Sequence, residues 1–127
     1  MSEQRRRLER HALIYHLPVR NRKTRELLGY LGNLTTEGLL LYGSTPLSTT
    51  TQTLTPCSIA LPGEIDGSDH VVFQAKPVWS RLDDHRRLYS TGMHIRRIRQ
   101  KDIRLIRATI ERYGSRNGSD AAVSASR

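Results

Sequence analysis

Two arginines near the start of the chain, Arg6 and Arg10, stand four residues apart in a cationic run that begins at Arg5. Side chains at this spacing lie on the same side of a helix and also of an extended strand, so the two guanidinium groups point the same way. A guanidinium carries paired planar donors that match two phosphate oxygens or the O6/N7 edge of guanine, and it can stack on a flat base. The pair therefore predicts recognition of a phosphate or a purine.

A second polar cluster, Asn33, Thr35 and Gly38, follows a leucine-rich segment further along the chain. Asn33 offers an amide to a base edge and Thr35 offers a hydroxyl. Gly38 lacks a side chain, so a ligand or another backbone can approach it closely, or it can supply a positive φ. The composition of the segment from Thr35 to Gly38 is typical of a turn between two strands.

Taken in order, the two clusters resemble the signature of the PilZ domain, RxxxR followed by [D/N]xSxxG. Arg6 and Arg10 match the first motif, and Asn33, Thr35 and Gly38 match the second. Thr35 stands where the family has serine, which keeps the hydroxyl and adds a methyl group. PilZ domains bind the bacterial second messenger cyclic di-GMP, so the resemblance implies this ligand and no cofactor.

The resemblance covers about residues 3–98, because later segments are similar to successive family strands. It implies that the arginines hold guanine edges and phosphates, that Asn33 contacts the opposite guanine edge, and that Thr35 and Gly38 line the floor of the site. Family members often place an aromatic ring over a guanine, and Trp79 is the candidate here, although a core tryptophan explains it equally well. The implied ligand-binding residues are Arg5, Arg6, Arg10, Asn33, Thr35, Gly38 and Trp79.

Hydrophobic alternation predicts the elements that hold these residues in place. Strands are expected over 12–20, 27–34, 39–42, 54–61, 71–82 and 88–95. Within 27–34, the alternation places Leu28, Tyr30 and Leu34 on one face. A turn is expected over 62–68, and Pro77 predicts a bulge that redirects Trp79. Short strands with one apolar face must curl to bury it, which predicts an all-β, six-stranded antiparallel β-barrel, the fold that the resemblance also implies.

After the last strand the apolar period changes to that of a helix. We expect a helix over 99–113 that ends at Gly114, with Asp102 placed favourably at the positive end of the helix dipole. Its predicted apolar stripe is Ile103, Ile106, Ile110 and Tyr113. The expected organisation is a flexible basic arm (1–11), the barrel (12–98), a C-terminal α-helix (99–113) and a disordered tail (114–127).

The composition limits the possible functions. A chain of 127 residues forms one domain, and its net charge of +9 favours anionic partners. Cys57 is the only cysteine, which excludes an intramolecular disulfide and a cysteine-based zinc site. The five histidines lack metal-ligand spacing with carboxylates, and no glycine-rich phosphate loop precedes a helix, so we do not expect an enzyme. No apolar window approaches the ~20 residues of a membrane span, and we expect a cytoplasmic protein.

Two other functions remain open from the sequence. One is a basic OB-like barrel that binds single-stranded nucleic acid with Tyr15, Tyr30, Tyr42 and Trp79 as stacking surfaces. The other is a PilZ-like interaction adaptor that has lost ligand binding. If cyclic di-GMP does bind, the basic arm is expected to order on it and to present a new surface to a downstream protein partner. No stable nucleic-acid or membrane partner is expected in that case.

Overall fold

The computed structural model describes residues 17–85 and 87–114 of the chain. They form six β-strands followed by one α-helix. The strands are β1 (Pro18–Asn21), β2 (Leu27–Leu34), β3 (Gly38–Gly43), β4 (Thr55–Ile65), β5 (Ser68–Asp83) and β6 (Leu88–Arg97), and the helix is α1 (Gln100–Tyr113).

The six strands close into an antiparallel barrel in the order β1-β2-β3-β6-β5-β4. Closure removes the unpaired edges that an open sheet would expose. The predicted six-stranded antiparallel β-barrel with a C-terminal helix is therefore confirmed. The order also places β6 between β3 and β5, which brings the turn after β2 close to the middle of β5.

The core fills the interior of the barrel with alternate residues of each strand. Val19, Leu31, Leu41, Ile59 and Val71 are almost completely buried there. Cys57 lies in the same core, and its burial raises the pKa of the thiol to about 12. Because only the thiolate is a good nucleophile, a buried thiol with a raised pKa is weakly reactive, and Cys57 contributes to the packing of the core.

The two faces of β2 differ from the prediction. Leu31 and Leu34 are both buried, whereas Tyr30 is 45% exposed, so the expected common face of Leu28, Tyr30 and Leu34 was wrong. The cause is two register shifts in β2, one in its pairing with β1 between Leu27 and Gly29, and one in its pairing with β3 between Leu31 and Asn33. An extra residue at such a bulge reverses the alternation beyond it.

The hairpin between β4 and β5 is longer than expected, because β4 continues to Ile65. The turn is confined to Asp66 and Gly67, whose φ angles are 52° and 79°. Two consecutive positive φ angles fit a two-residue hairpin loop of the Asp-Gly type. The predicted bulge near Pro77 is confirmed, since the register of β5 against β6 shifts between Pro77 and Trp79.

Helix α1 packs against β4 and β5, and three residues of the predicted stripe, Ile106, Ile110 and Tyr113, contact the core. Ile103 is only half-buried, and the buried residues are Asp102, Leu105, Ile106 and Thr109. The side chain of Asp102 accepts hydrogen bonds from the backbone N–H of Val72, at 3.1 Å, and from Nε of Arg99, at 2.8 Å. This contact turns the Asp102 side of the helix towards the barrel. Within the described ranges, no helix has the length and apolar character needed to cross a bilayer.

Candidate functional site

A pocket of about 800 Å³ opens on the outer wall of the barrel, beside the turn between β2 and β3. Its floor is a row of cross-strand neighbours, Leu40, Gly92 and Trp79, which belong to β3, β6 and β5. The row lies outside because the residues that alternate with it, such as Leu39 and Met93, are buried in the core. The pocket lining is Asn33, Thr35, Glu37, Gly38, Leu39, Leu40, Val78, Trp79, Arg81, Gly92, Met93, His94 and Ile95.

The hydroxyl of Thr35 holds the turn together. Its oxygen accepts hydrogen bonds from the backbone N–H groups of Glu37 and Gly38, both at 3.1 Å, and the hydroxyl donates to the Gly38 carbonyl at 3.3 Å. The backbone N–H of Thr35 donates to the same carbonyl at 2.9 Å. Thr35 thus lines the pocket as predicted, but its hydroxyl is used mainly to shape the turn.

Gly38 is required because the neighbouring strand lies too close for a side chain. A Cβ atom at this position would lie 2.5 Å from the backbone carbonyl oxygen of Met93, a separation that real Cβ atoms essentially never show. Its φ is not positive, so close approach of another backbone is the expected reason that applies here. The backbone N–H of Ile95 also donates to the Glu37 carbonyl at 2.9 Å, which fixes the turn against β6.

Asn33 is the polar residue of the pocket that is best placed for recognition. It is only 4% exposed, and among the described residues no hydrogen bond involves its side chain. No fully buried polar side-chain atom in this part of the chain lacks a partner, so the amide atoms of Asn33 are not completely enclosed, and the residue lines the pocket. A buried amide with unused donors and an unused acceptor is costly unless a ligand or water pairs with it.

The Trp79 ring lies outside the core but is partly covered by neighbouring residues. It is half-buried, lies outside the core cluster and packs against Gly92 of the neighbouring strand. A Cβ atom at Gly92 would lie 2.4 Å from the indole Nε1. The guanidinium carbon of Arg81 stands over the ring, 4.9 Å from its centroid, a cation–π contact that contributes about 0.5–1 kcal/mol at exposed sites.

Replacing Gly92 with alanine is expected to push the Trp79 ring away from the barrel and into the pocket. The cost in stability should be about 1 kcal/mol, the low end for overpacking, because a half-buried ring can move. Trp79 is the only tryptophan of the chain, so its emission maximum should shift to longer wavelength as the ring becomes more hydrated. Gly63→Ala is the matched control, since the nearest atom to its Cβ is 3.7 Å away. An unchanged emission spectrum in the Gly92 variant would contradict this packing.

Arg81 is a pocket residue that sequence reasoning missed. It follows Trp79 by two residues on β5, and residues at this spacing point to the same face of a strand. The two-residue spacing can be read from the sequence, but it indicates a binding residue only when the position of the pocket is known. Glu37 and His94 also line the pocket and were likewise not singled out from the sequence.

The arginines of the first motif, Arg5, Arg6 and Arg10, lie outside the described residues. The nearest described residue is Leu17, whose carbonyl accepts a hydrogen bond from the backbone N–H of Leu31 at 2.9 Å. The described chain therefore begins beside the end of β2 that leads into Asn33. Of the seven predicted site residues, the structure brings together four, namely Asn33, Thr35, Gly38 and Trp79.

The pocket offers hydrogen-bonding groups on one side and an aromatic ring on the other. Within the described ranges, no group of three or more histidine, cysteine, aspartate or glutamate side chains is arranged to hold a metal ion. No family model, curated protein or solved structure matches this chain. The chemistry of the pocket must therefore be inferred from its own residues.

Proposed function

We propose that this protein is a PilZ-like receptor that binds cyclic di-GMP in the pocket beside the β2–β3 turn. The observation that carries the proposal is the convergence of the second motif with Trp79. Asn33, Thr35 and Gly38 are far from Trp79 in the sequence, yet all four line one pocket. The strand order β3-β6-β5 produces this convergence.

The pocket suits a guanine dinucleotide in size and in chemistry. Its volume of about 800 Å³ falls within the range of roughly 300–1,000 Å³ that is typical of small-molecule sites. The Asn33 amide supplies the paired donor and acceptor that a guanine edge requires. The Trp79 ring supplies a flat apolar surface on which a base can stack.

The origin of the basic arm supports the same site. Leu17 lies opposite Leu31, two residues before Asn33, and Arg10 precedes Leu17 by seven residues. Seven residues span at most about 24 Å when extended, which is enough to reach a ligand bound at the turn. We propose that Arg6 and Arg10, with Arg5, close over the ligand from the side opposite to Asn33.

A receptor of this kind needs a way to report that it is occupied. The arm arginines would change position when they pair with the ligand, and the surface around the pocket would change with them. We propose that a downstream protein partner binds this altered surface. Ligand binding and signalling would then use the same residues, with no catalytic step and no cofactor.

Calorimetry with cyclic di-GMP tests the proposal, with cyclic di-AMP as the non-guanine control. We expect saturable binding of cyclic di-GMP and much weaker binding of cyclic di-AMP. Asn33→Ala should reduce the affinity about tenfold, because two neutral hydrogen bonds of about 0.5–1.5 kcal/mol are lost. Gln74→Ala is the matched control, since it removes an exposed amide from β5 outside the pocket.

The two alternatives predict different results in the same experiment. An interaction adaptor would bind neither dinucleotide. A nucleic-acid-binding barrel would ignore both and would bind single-stranded oligonucleotides with an affinity that falls steeply with salt. Tyr30 is exposed, as that alternative requires. Absence of cyclic di-GMP binding to the wild-type chain would refute the receptor.

A further inference from the structure

Arg81 is the only lysine or arginine among the described residues that line the pocket. Its side chain is exposed, and the ion pairs of the described part of the chain, His70–Asp69 and Arg99–Asp102, do not involve it. A guanidinium without a carboxylate partner keeps its donors available for an anion. The charge of Arg81 is therefore not explained by the stability of the barrel.

The guanidinium also occupies the place that a stacked base needs. Aromatic rings stack with their centroids about 4.5–7 Å apart, and the Arg81 guanidinium carbon lies 4.9 Å from the centroid of the Trp79 ring. A guanine therefore cannot stack on this face of the Trp79 ring while the guanidinium is in this position. The cation–π contact of an exposed arginine is weak, so the base can displace it at little cost.

The displaced side chain has an anion within reach. Arg81 and Trp79 point to the same face of β5 and are about 6.7 Å apart along the strand. A guanine that is stacked on Trp79 carries its phosphodiester at the edge of the ring, on the scale of that spacing.

We infer that Arg81 is a ligand-binding residue that covers the Trp79 ring in the free protein and pairs with a phosphodiester of the bound dinucleotide. The inference rests on the proposed function and adds to it a cation that belongs to the barrel wall. The Arg81 side chain then holds a phosphate from the β5 side of the site. It also gives the free protein a protected aromatic surface.

The single tryptophan allows this exchange to be observed directly. We would titrate the wild-type chain, Arg81→Ala and Arg81→Lys with cyclic di-GMP at low and high salt, and follow both Trp79 fluorescence and heat. In the wild type, the stacked guanine should quench Trp79. Arg81→Ala should weaken binding about tenfold or more and make it less sensitive to salt, because a charge-assisted pair is lost. Arg81→Lys should lose less, since it keeps the charge but not the planar fork.

Arg104→Ala is the matched control, because it removes one exposed cation from α1, away from the pocket. If Arg81→Ala shows the same affinity and the same salt dependence as this control, the inference is wrong and the receptor stands. If the wild type releases heat on binding but Trp79 fluorescence does not change, the stacking exchange is likewise refuted. If neither signal responds to cyclic di-GMP, the proposed function fails and the role of Arg81 fails with it.

Discussion

Arg10→Ala is expected to weaken cyclic di-GMP binding by about 10- to 100-fold. A charge-assisted hydrogen bond contributes about 1.5–3 kcal/mol, and each 1.4 kcal/mol corresponds to a factor of ten in affinity. Arg10 is the arginine of the arm that is closest in sequence to Leu17, which lies beside the end of β2 that carries Asn33. Its loss should therefore remove a direct contact with the ligand. Calorimetry gives the dissociation constant and the stoichiometry together.

The control for this experiment is Arg22→Ala. Arg22 is exposed in the turn after β1, at the end of that strand opposite to Leu17, and it is not part of the pocket lining. Both variants lower the net charge by one, so a general electrostatic attraction of the ligand would affect them equally. Equal affinities of the two variants would show that the charge of the chain, and no specific clamp, draws the ligand. The basic arm would then have no defined role in the site.

Asp102→Ala is expected to lower the free energy of unfolding by roughly 2–4 kcal/mol. The carboxylate is 1% exposed and joins α1 to β5 through the backbone N–H of Val72. That part of β5 precedes Gln74, where pairing with β6 begins, so Asp102 satisfies a strand N–H that β6 does not reach. Alanine would leave this donor unpaired beneath the helix. A urea titration followed by circular dichroism measures the change, and the melting temperature should fall by roughly 10 °C.

Two further variants separate the helix contact from a general effect of charge. Glu111→Ala removes an exposed acid from the same helix and should change the free energy of unfolding by less than about 0.5 kcal/mol. Arg99→Ala removes the partner of Asp102, but the Arg99 side chain is 66% exposed, so its effect should be below about 1 kcal/mol. If Asp102→Ala is as stable as Glu111→Ala, then the bond to Val72 does not hold the helix in place.

The sequence predicted the elements of the barrel better than their internal geometry. Alternation is a local signal, and it located β2 to β6 and the helix because each buries one face. β1 overlaps the strand expected over 12–20 at residues 18–20, and residues 12–16 of that prediction lie outside the described part of the chain. Alternation failed within β2, where the pairing with β1 and the pairing with β3 each shift by one residue, so that Leu28 is buried and Tyr30 is exposed. For α1 it placed Ile106, Ile110 and Tyr113 correctly, but it included Ile103, which is only half-buried, and it did not indicate that Asp102 is buried and bonded to Val72.

The sequence also predicted the residues of the candidate site better than their contacts. The spacing of Asn33, Thr35 and Gly38 was sufficient to identify a turn with a possible binding role. It did not reveal that the Thr35 hydroxyl is used by the turn, since this depends on the backbone positions of Glu37 and Gly38. Arg81 was missed altogether, because one more arginine in a chain with a charge of +9 carries no signal by itself.

The sequence by itself determined the six-stranded barrel, the terminal helix and the polar residues of the β2–β3 turn, because these depend on alternation, turn chemistry and spacing over a few residues. Only the tertiary structure decided that Trp79 and Arg81 face that turn across β6, and that Gly92 makes room for the ring. The physical reason is that strand order and register arise from packing between segments far apart in the chain. A pocket formed by three strands exists only after those strands have paired.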